Sequence, residues 1–230
     1  SDPRCSNSWL PFASLNGGDI QLAIDDAGQG GGIASYSLSN SASSSVIATN
    51  STISGNTAIQ GGGIYSFSYS SFSSVTVTNC VINDNTGRGI YSGTPEYGTF
   101  SSVIVTNSIL SLNSDGGIYS KAVYYPSSVT LINSTITGDD RARNYGGGIH
   151  SHSIFSSSVT VDNSTIHGFT EPGFRSAITF GAGIYSEASN SGSNSGTSSV
   201  TVTNSTIADN TANYGGGIYS LADSSSIVTV

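Results

Sequence analysis

Residues 62–66 read Gly62-Gly63-Ile64-Tyr65-Ser66. After a short polar break come Ser73-Ser74-Val75-Thr76-Val77-Thr78-Asn79 and then Ile82-Asn83-Asp84-Asn85-Thr86. This pattern recurs along the chain, with Gly-Ile junctions at Gly32-Ile33, Gly63-Ile64, Gly89-Ile90, Gly117-Ile118, Gly148-Ile149, Gly183-Ile184 and Gly217-Ile218. Successive isoleucines lie 31, 26, 28, 31, 35 and 34 residues apart. An internal period of this size marks stacked units that share one continuous core rather than a single globular interior.

Within each unit three short strand-like runs are separated by Gly, Asn or Ser turns, and no helical period occurs. The longest run alternates with period two, so Val75, Val77, Val103, Val105, Val129, Leu131, Val159, Val161, Val200 and Val202 are expected inside and the intervening threonines outside. The short runs add Ile53, Ile82, Leu110, Ile136, Ile166 and Ile207 to the interior, and the Gly-Ile runs add their isoleucines. One coil alone buries too little to offset its ordering entropy; a stack of coils makes one apolar column. Two files of asparagine mark the corners: Asn50, Asn79, Asn107, Asn133, Asn163 and Asn204, and Asn56, Asn85, Asn113 and Asn210. Asparagine tolerates a left-handed corner, and stacked amides can bond from coil to coil. Four members of the first file also read as Asn-Ser-Thr glycosylation sequons.

These repeats resemble those of right-handed parallel β-helices, and among them the polymorphic outer-membrane protein repeats of bacterial surfaces, with their Gly-Gly-Ile and Phe-x-x-Asn signatures. Gly62-Gly63-Ile64 and Ile53-Ser54-Gly55-Asn56 stand in those places, with Ile replacing the Phe. The resemblance covers about residues 30–230. It implies an all-β chain, a single right-handed parallel β-solenoid of about seven coils, exposed at a surface. It is weak for activity, since proteins of this kind adhere, assemble or cleave polysaccharides, and fold does not choose among them.

Composition narrows the setting. Charged residues make up 9% of the 230, against roughly 25% in an ordinary soluble domain. A net charge of -8 with six basic residues argues against nucleic acid, and no apolar run is long enough to span a membrane. The chain contains no Met, so Ser1 reads as the end left by signal-peptide removal or by other trimming. Together with Cys5 and Cys80, this favours an extracellular or cell-surface location. Cys80 stands in a column otherwise filled by Ser51, Ser108, Ser134, Ser164 and Ser205; it is either a small buried side chain or the partner of Cys5 in a disulfide.

The ends break the repeat. Residues 1–29, with Trp9, Leu10 and Phe12, are expected to form a cap or connector ahead of the repeats at 30–230. The last coil stops within a strand at Ile227, Val228 and Val230. A fragment of a longer chain, a frayed edge and completion by a second copy all account for this. The reading favoured here is a secreted structural protein that self-associates head to tail into a fibre by strand addition, with Cys5, Trp9, Leu10, Phe12, Ile227, Val228 and Val230 at the joint. The alternative is a non-enzymatic adhesin that binds surface glycans, for which the file Tyr65, Tyr91, Tyr119, His150, Tyr185 and Tyr219 would be the contact stripe, although a stacked, half-exposed stripe that stabilises the sheet explains the same rings. A polysaccharide lyase or hydrolase ranks third. Its carboxylates would be Asp139, Asp140 and Glu171 with Arg175 beside them, although two solvated loops with mutual salt bridges explain the same residues. The flat Thr-x-Thr array needed to order ice is broken by Ile47, Ile104, Ile132 and Asp162. No cofactor is expected, and no cluster with metal-ligand spacing occurs.

Overall fold

The computed structural model describes residues 12–16, 19–21, 30–37, 42–95, 99–138, 147–170, 179–189 and 196–230, the first two segments by backbone alone. Asp139, Asp140, Glu171, Arg175, Cys5, Trp9 and Leu10 lie outside these residues. No helix among the described residues is long and apolar enough to cross a membrane. Three parallel sheets run the length of the solenoid. An eight-stranded sheet holds the long strands, from Phe12–Asn16 through Ser73–Thr78 to Ser225–Thr229. A seven-stranded sheet holds the three-residue strands, Val81–Asn83 among them. A second seven-stranded sheet holds the Gly-Ile strands, such as Ile64–Ser68 and Ile149–Ser153. Seven or eight strands per sheet make a solenoid of about six turns, the all-β parallel β-solenoid expected from the sequence.

The break in the repeat is not where the stack begins. Within the segment expected to be a cap or connector, Phe12–Asn16 pairs in parallel with Ser44–Thr49, and Asp19–Gln21 pairs with Thr52–Ser54. Both strands therefore lie in the first coil, a place their irregular sequence conceals.

The interior follows the period-two alternation. Val77, Val103, Val105, Leu131, Val161 and Val200, together with the aliphatic residues Ile53 to Ile166 of the short strands, are buried from the first coils to the last but one. Ile64, Ile90, Ile118, Ile149 and Ile184 close the third side. The Gly before each of these isoleucines is required by close approach of successive backbones. A Cβ on Gly148 would lie 2.4 Å from the Gly183 carbonyl oxygen, and one on Gly117 would lie 2.6 Å from that of Gly148.

The corners hold the asparagine files. Asn50, Asn79, Asn107, Asn133, Asn163 and Asn204 all have φ between 47° and 54°, the left-handed region that Asn enters more readily than other residues with a side chain. Asn79 Nδ2 donates to Asn50 Oδ1 at 3.1 Å, and Asn163 Nδ2 to Asn133 Oδ1 at 2.7 Å. In the second file, buried Asn56 and Asn85 each donate an amide to the next Oδ1 at 2.9 Å. Phe169 takes this place on the coil before Asn210, and its backbone N–H still donates to Asn210 Oδ1 at 3.1 Å.

Where the Gly-Ile strands meet the long strands, the corner is sealed by buried serine. Ser44 and Ser66, Ser66 and Ser73, Ser73 and Ser92, and Ser92 and Ser101 are joined hydroxyl to hydroxyl at 2.8–2.9 Å. The chain continues through Ser120 and Ser127 to Ser151. There Ser157 donates to the Ser151 carbonyl at 2.9 Å, and the hydroxyl chain resumes through Ser186, Ser198, Ser220 and Ser226. A hydroxyl can both donate and accept, so the buried members of the chain each have a partner, and serial bonds of this kind polarise one another.

Candidate functional site

The outer face of the Gly-Ile sheet is where the repeat is least faithful. Two outward rows run across its strands, because residues two apart on a strand share a face. Register places Tyr65, Tyr91, Tyr119, His150, Tyr185 and Tyr219 in one row. Phe67, Gly93, Lys121, His152, Glu187 and Leu221 make up the other.

The first row is a continuous file of ring contacts, stacked for Tyr65 and Tyr91 at 5.0 Å, tilted for Tyr91 and Tyr119 at 5.2 Å, edge-on for Tyr119 and His150 at 4.7 Å, and tilted for His150 and Tyr185 at 4.8 Å. Arg88 lies over the Tyr119 ring at 4.8 Å, a cation–π contact from the preceding coil. Four of the six positions are covered more than the half-exposed stripe expected from the sequence, whereas Tyr119 and Tyr219 are half-exposed. Tyr65, Tyr91, His150 and Tyr185 are 2%, 9%, 8% and 4% exposed. Coil spacing falls within the roughly 4.5–7 Å centroid range of aromatic pairs, so neighbouring rings cover one another. Gly93 lies beneath the Tyr91 ring, and a Cβ there would lie 2.7 Å from Cε1. Burial pushes the phenols of Tyr65, Tyr91 and Tyr119 above the usual tyrosine range.

In the second row His152 and Glu187 stand directly opposite on adjacent strands, with His152 Nδ1 3.2 Å from Glu187 Oε2. Ser189 Oγ donates to Glu187 Oε1 at 3.0 Å. The hydrogen bond from His152, with further bonds from Tyr185 and Ser189, holds the Glu187 carboxyl below the usual carboxylate range against the opposing effect of burial. His150, two residues before His152, completes a group of three. One ligand atom from each of His150, His152 and Glu187 lies within 4.8 Å of the others. Sequence spacing gives no hint of this group, because Glu187 is 35 residues from His152 and joins it only through strand register.

An exposed aromatic corner is a second feature that the repeat does not announce. In the turns between the Gly-Ile strands and the long strands, Phe72 and Phe100 stack at 5.1 Å with 8° between their planes. On the next two coils stand Tyr124 and Tyr125, then Phe155, whose ring is 6.4 Å from that of Tyr124. Phe100, Tyr124, Tyr125 and Phe155 are each 38–46% exposed. The signal was available: an aromatic or Tyr-Tyr-Pro stands just before each Ser-Ser pair at residues 73, 101 and 127, and Phe155 precedes Ser156.

The other expected sites are distributed as follows. Asp139, Asp140, Glu171 and Arg175 belong to segments outside the described residues. Cys80 is a buried free thiol, with its Sγ 3.2 Å from the Thr78 carbonyl and its backbone N–H bonded to Ser108 Oγ; Cys5 lies outside the described residues. Its place in the serine column follows the sequence expectation: Ser108, Ser134 and Ser164 accept from the coil before in the same way and donate to the carbonyl two residues back. At the carboxyl end, Val228 stands in register with inward Val200 and Ile227 with outward Ser199. Ile227, Val228 and Val230 are all exposed.

Residues 41–230 match the family model of the right handed β helix region, and the chain belongs to that family. The family includes both pectate lyase-like enzymes and non-enzymatic proteins. No curated protein and no solved structure matches the chain.

Proposed function

We propose that the protein is a non-enzymatic, extracellular adhesin whose coil stack presents an aromatic corner to glycans on a surface. The observation that carries this reading is the aromatic row on four successive coils, half-buried at Phe72 and exposed at Phe100, Tyr124, Tyr125 and Phe155. Aromatic rings offer sugars a flat apolar face, and tyrosine adds a polar tip. A solenoid repeats such rings at the coil spacing of roughly 4.8 Å, so an extended polymer can touch several at once. Most of the tyrosine file is buried, with Tyr119 and Tyr219 half-exposed, so the corner offers the larger aromatic contact surface. The likeness of the Gly-Gly-Ile repeats to polymorphic outer-membrane repeats supports the same reading, as does the low charge of the chain. Two substitutions, Tyr124→Ser and Phe155→Ser, in one variant should abolish retention on immobilised polysaccharide while circular dichroism stays unchanged. Retention of that variant equal to wild type would overturn the glycan assignment.

Self-association is a second reading, favoured by one specific feature. The final coil presents Val228, half-buried Ile207 and Ile218, and an unpaired strand edge to whatever stands next to it. A second copy seated there would pair that row of amides and extend the aliphatic column. Electron microscopy tests it: filaments that disappear with Val228→Glu support head-to-tail stacking, and discrete rods of the unaltered chain rule it out.

A further inference from the structure

We propose that His150, His152 and Glu187 form a binding site for a zinc-type divalent metal on the outer face of the Gly-Ile sheet. The reading is independent of glycan binding.

Three observations converge on it. First, the donor set is two imidazoles and one carboxylate. This combination suits zinc and its first-row neighbours, whereas calcium and magnesium take oxygen ligands. Second, the geometry is close to what such an ion needs. Bonds of about 2.0–2.2 Å in a tetrahedron place ligand atoms roughly 3.3–3.5 Å apart. His152 Nδ1 and Glu187 Oε2 already stand 3.2 Å apart, and all three ligand atoms fall within 4.8 Å. Small side-chain rotations close the remainder. Third, the ligands are held from behind. Ser189 fixes the far oxygen of Glu187 at 3.0 Å, and Tyr119 and Tyr185 flank the His150 ring at 4.7 and 4.8 Å. Supports of this kind orient the ligands of protein metal sites.

The site is also where the repeat changes character. Every other described coil from Tyr65 onward carries Tyr at the position of His150. A ring was sufficient for stacking, so an imidazole adds a ligand atom that stacking does not use. His152 and Glu187 face each other across two coils, so the metal ties one coil to the next. Three protein ligands leave a fourth position open to water or to a donor from outside. Lys121 is the opposing charge, next to His152 in the row, and its effect is to weaken the site without removing a ligand.

The test uses untagged, chelator-stripped protein titrated with zinc chloride, followed by calorimetry and by thermal unfolding. One saturable site per chain is expected, with a rise in Tm, since an ion that binds only the folded state stabilises it. His150→Tyr restores the ring found on neighbouring coils and should fold as wild type, yet weaken zinc binding at least roughly tenfold. Glu187→Gln should do the same, and His167→Ala should leave binding intact. Magnesium chloride should give neither heat nor a Tm shift. Absence of saturable zinc binding by the wild-type chain overturns the proposal. So does binding that survives both His150→Tyr and Glu187→Gln, or that disappears with His167→Ala.

Discussion

The inside of the serine corner and the outside of the Gly-Ile sheet are built from the same strands, yet they obey the repeat very differently. Inside, Ser66, Ser92, Ser120, Ser151, Ser186 and Ser220 are identical on six coils and linked hydroxyl to hydroxyl along almost the whole axis. One residue away, the outer row runs Phe67, Gly93, Lys121, His152, Glu187 and Leu221. The difference lies in what each position must satisfy. A buried hydroxyl has to donate to one neighbour and accept from another, so a change on one coil strands a polar atom on the next. An outward residue answers to solvent and to whatever binds there. Identity from coil to coil therefore marks architecture in this protein, and departure from it marks the places where chemistry can be placed.

The comparison is broken most severely in the aliphatic column. Leu131 is fully buried on a central coil, and Leu131→Ala should cost about 2–5 kcal/mol, read by urea unfolding. Val228→Ala on the exposed last coil should cost far less, because only one neighbour packs against it and solenoid stability is a sum of nearest-neighbour contacts. Equal losses at the two sites would mean that the last coil is covered in solution.

Next in size is the serine chain. Ser101 bonds to the Ser92 carbonyl at 3.0 Å and to the Ser92 and Ser120 hydroxyls at 2.9 Å. Ser101→Ala breaks the chain between Ser92, which stays bonded to Ser73, and Ser120, which stays bonded to Ser127, and should cost about 1–3 kcal/mol by the same measurement. A loss below half of that would mean that Ser92 and Ser120 find each other or water, and that the chain is not cooperative.

How much of this was legible in sequence follows from which interactions are local in the repeat. The Val-Thr-Val alternation and the Asn corners could be read directly, because strand parity and left-handed φ are properties of single positions. Cys80 could be placed in its serine column by alignment of coils alone. The serine chain was passed over because Ser reads as surface composition; its signal was parity, since Ser73 and Ser101 share the inward phase of Val75 and Val103. Burial of most of the tyrosine file was invisible because it depends on rings of adjacent coils packing against one another across the sheet. The His150, His152 and Glu187 group needed a register between strands 35 residues apart in sequence. Phe12–Asn16 carries no Gly-Ile or Val-Thr-Val signature, so its place in the first coil is set by tertiary pairing.

The tyrosine file gives a pH-dependent contrast between the two faces. Burial raises the phenols of Tyr65, Tyr91 and Tyr119 above their unfolded value near 10. The folded state therefore holds protons that the unfolded chain gives up. Their contribution to stability is intact below pH ~10 and declines as pH rises through the folded values. Urea midpoints measured across neutral and alkaline pH should be flat with respect to these groups below that point and fall above it. Tyr91→Phe, which keeps the ring and removes the proton, should flatten part of the decline. An unchanged slope in that variant would place the alkaline sensitivity elsewhere.

The smallest expected effect is the most discriminating. His150 occupies a tyrosine position, packs edge-on to Tyr119 at 4.7 Å and tilted against Tyr185 at 4.8 Å, and is 8% exposed. If the row exists only to stack rings, His150→Tyr makes the row uniform, replaces a polar ring by a larger, more apolar one, and should leave metal-free stability within about 0.5 kcal/mol of wild type or raise it slightly. A clear loss of stability without metal would mean that the imidazole makes a specific contact within the fold. In that case the departure from the repeat at this coil would be architectural, and the rule drawn from the serine corner would fail at the position where it matters most.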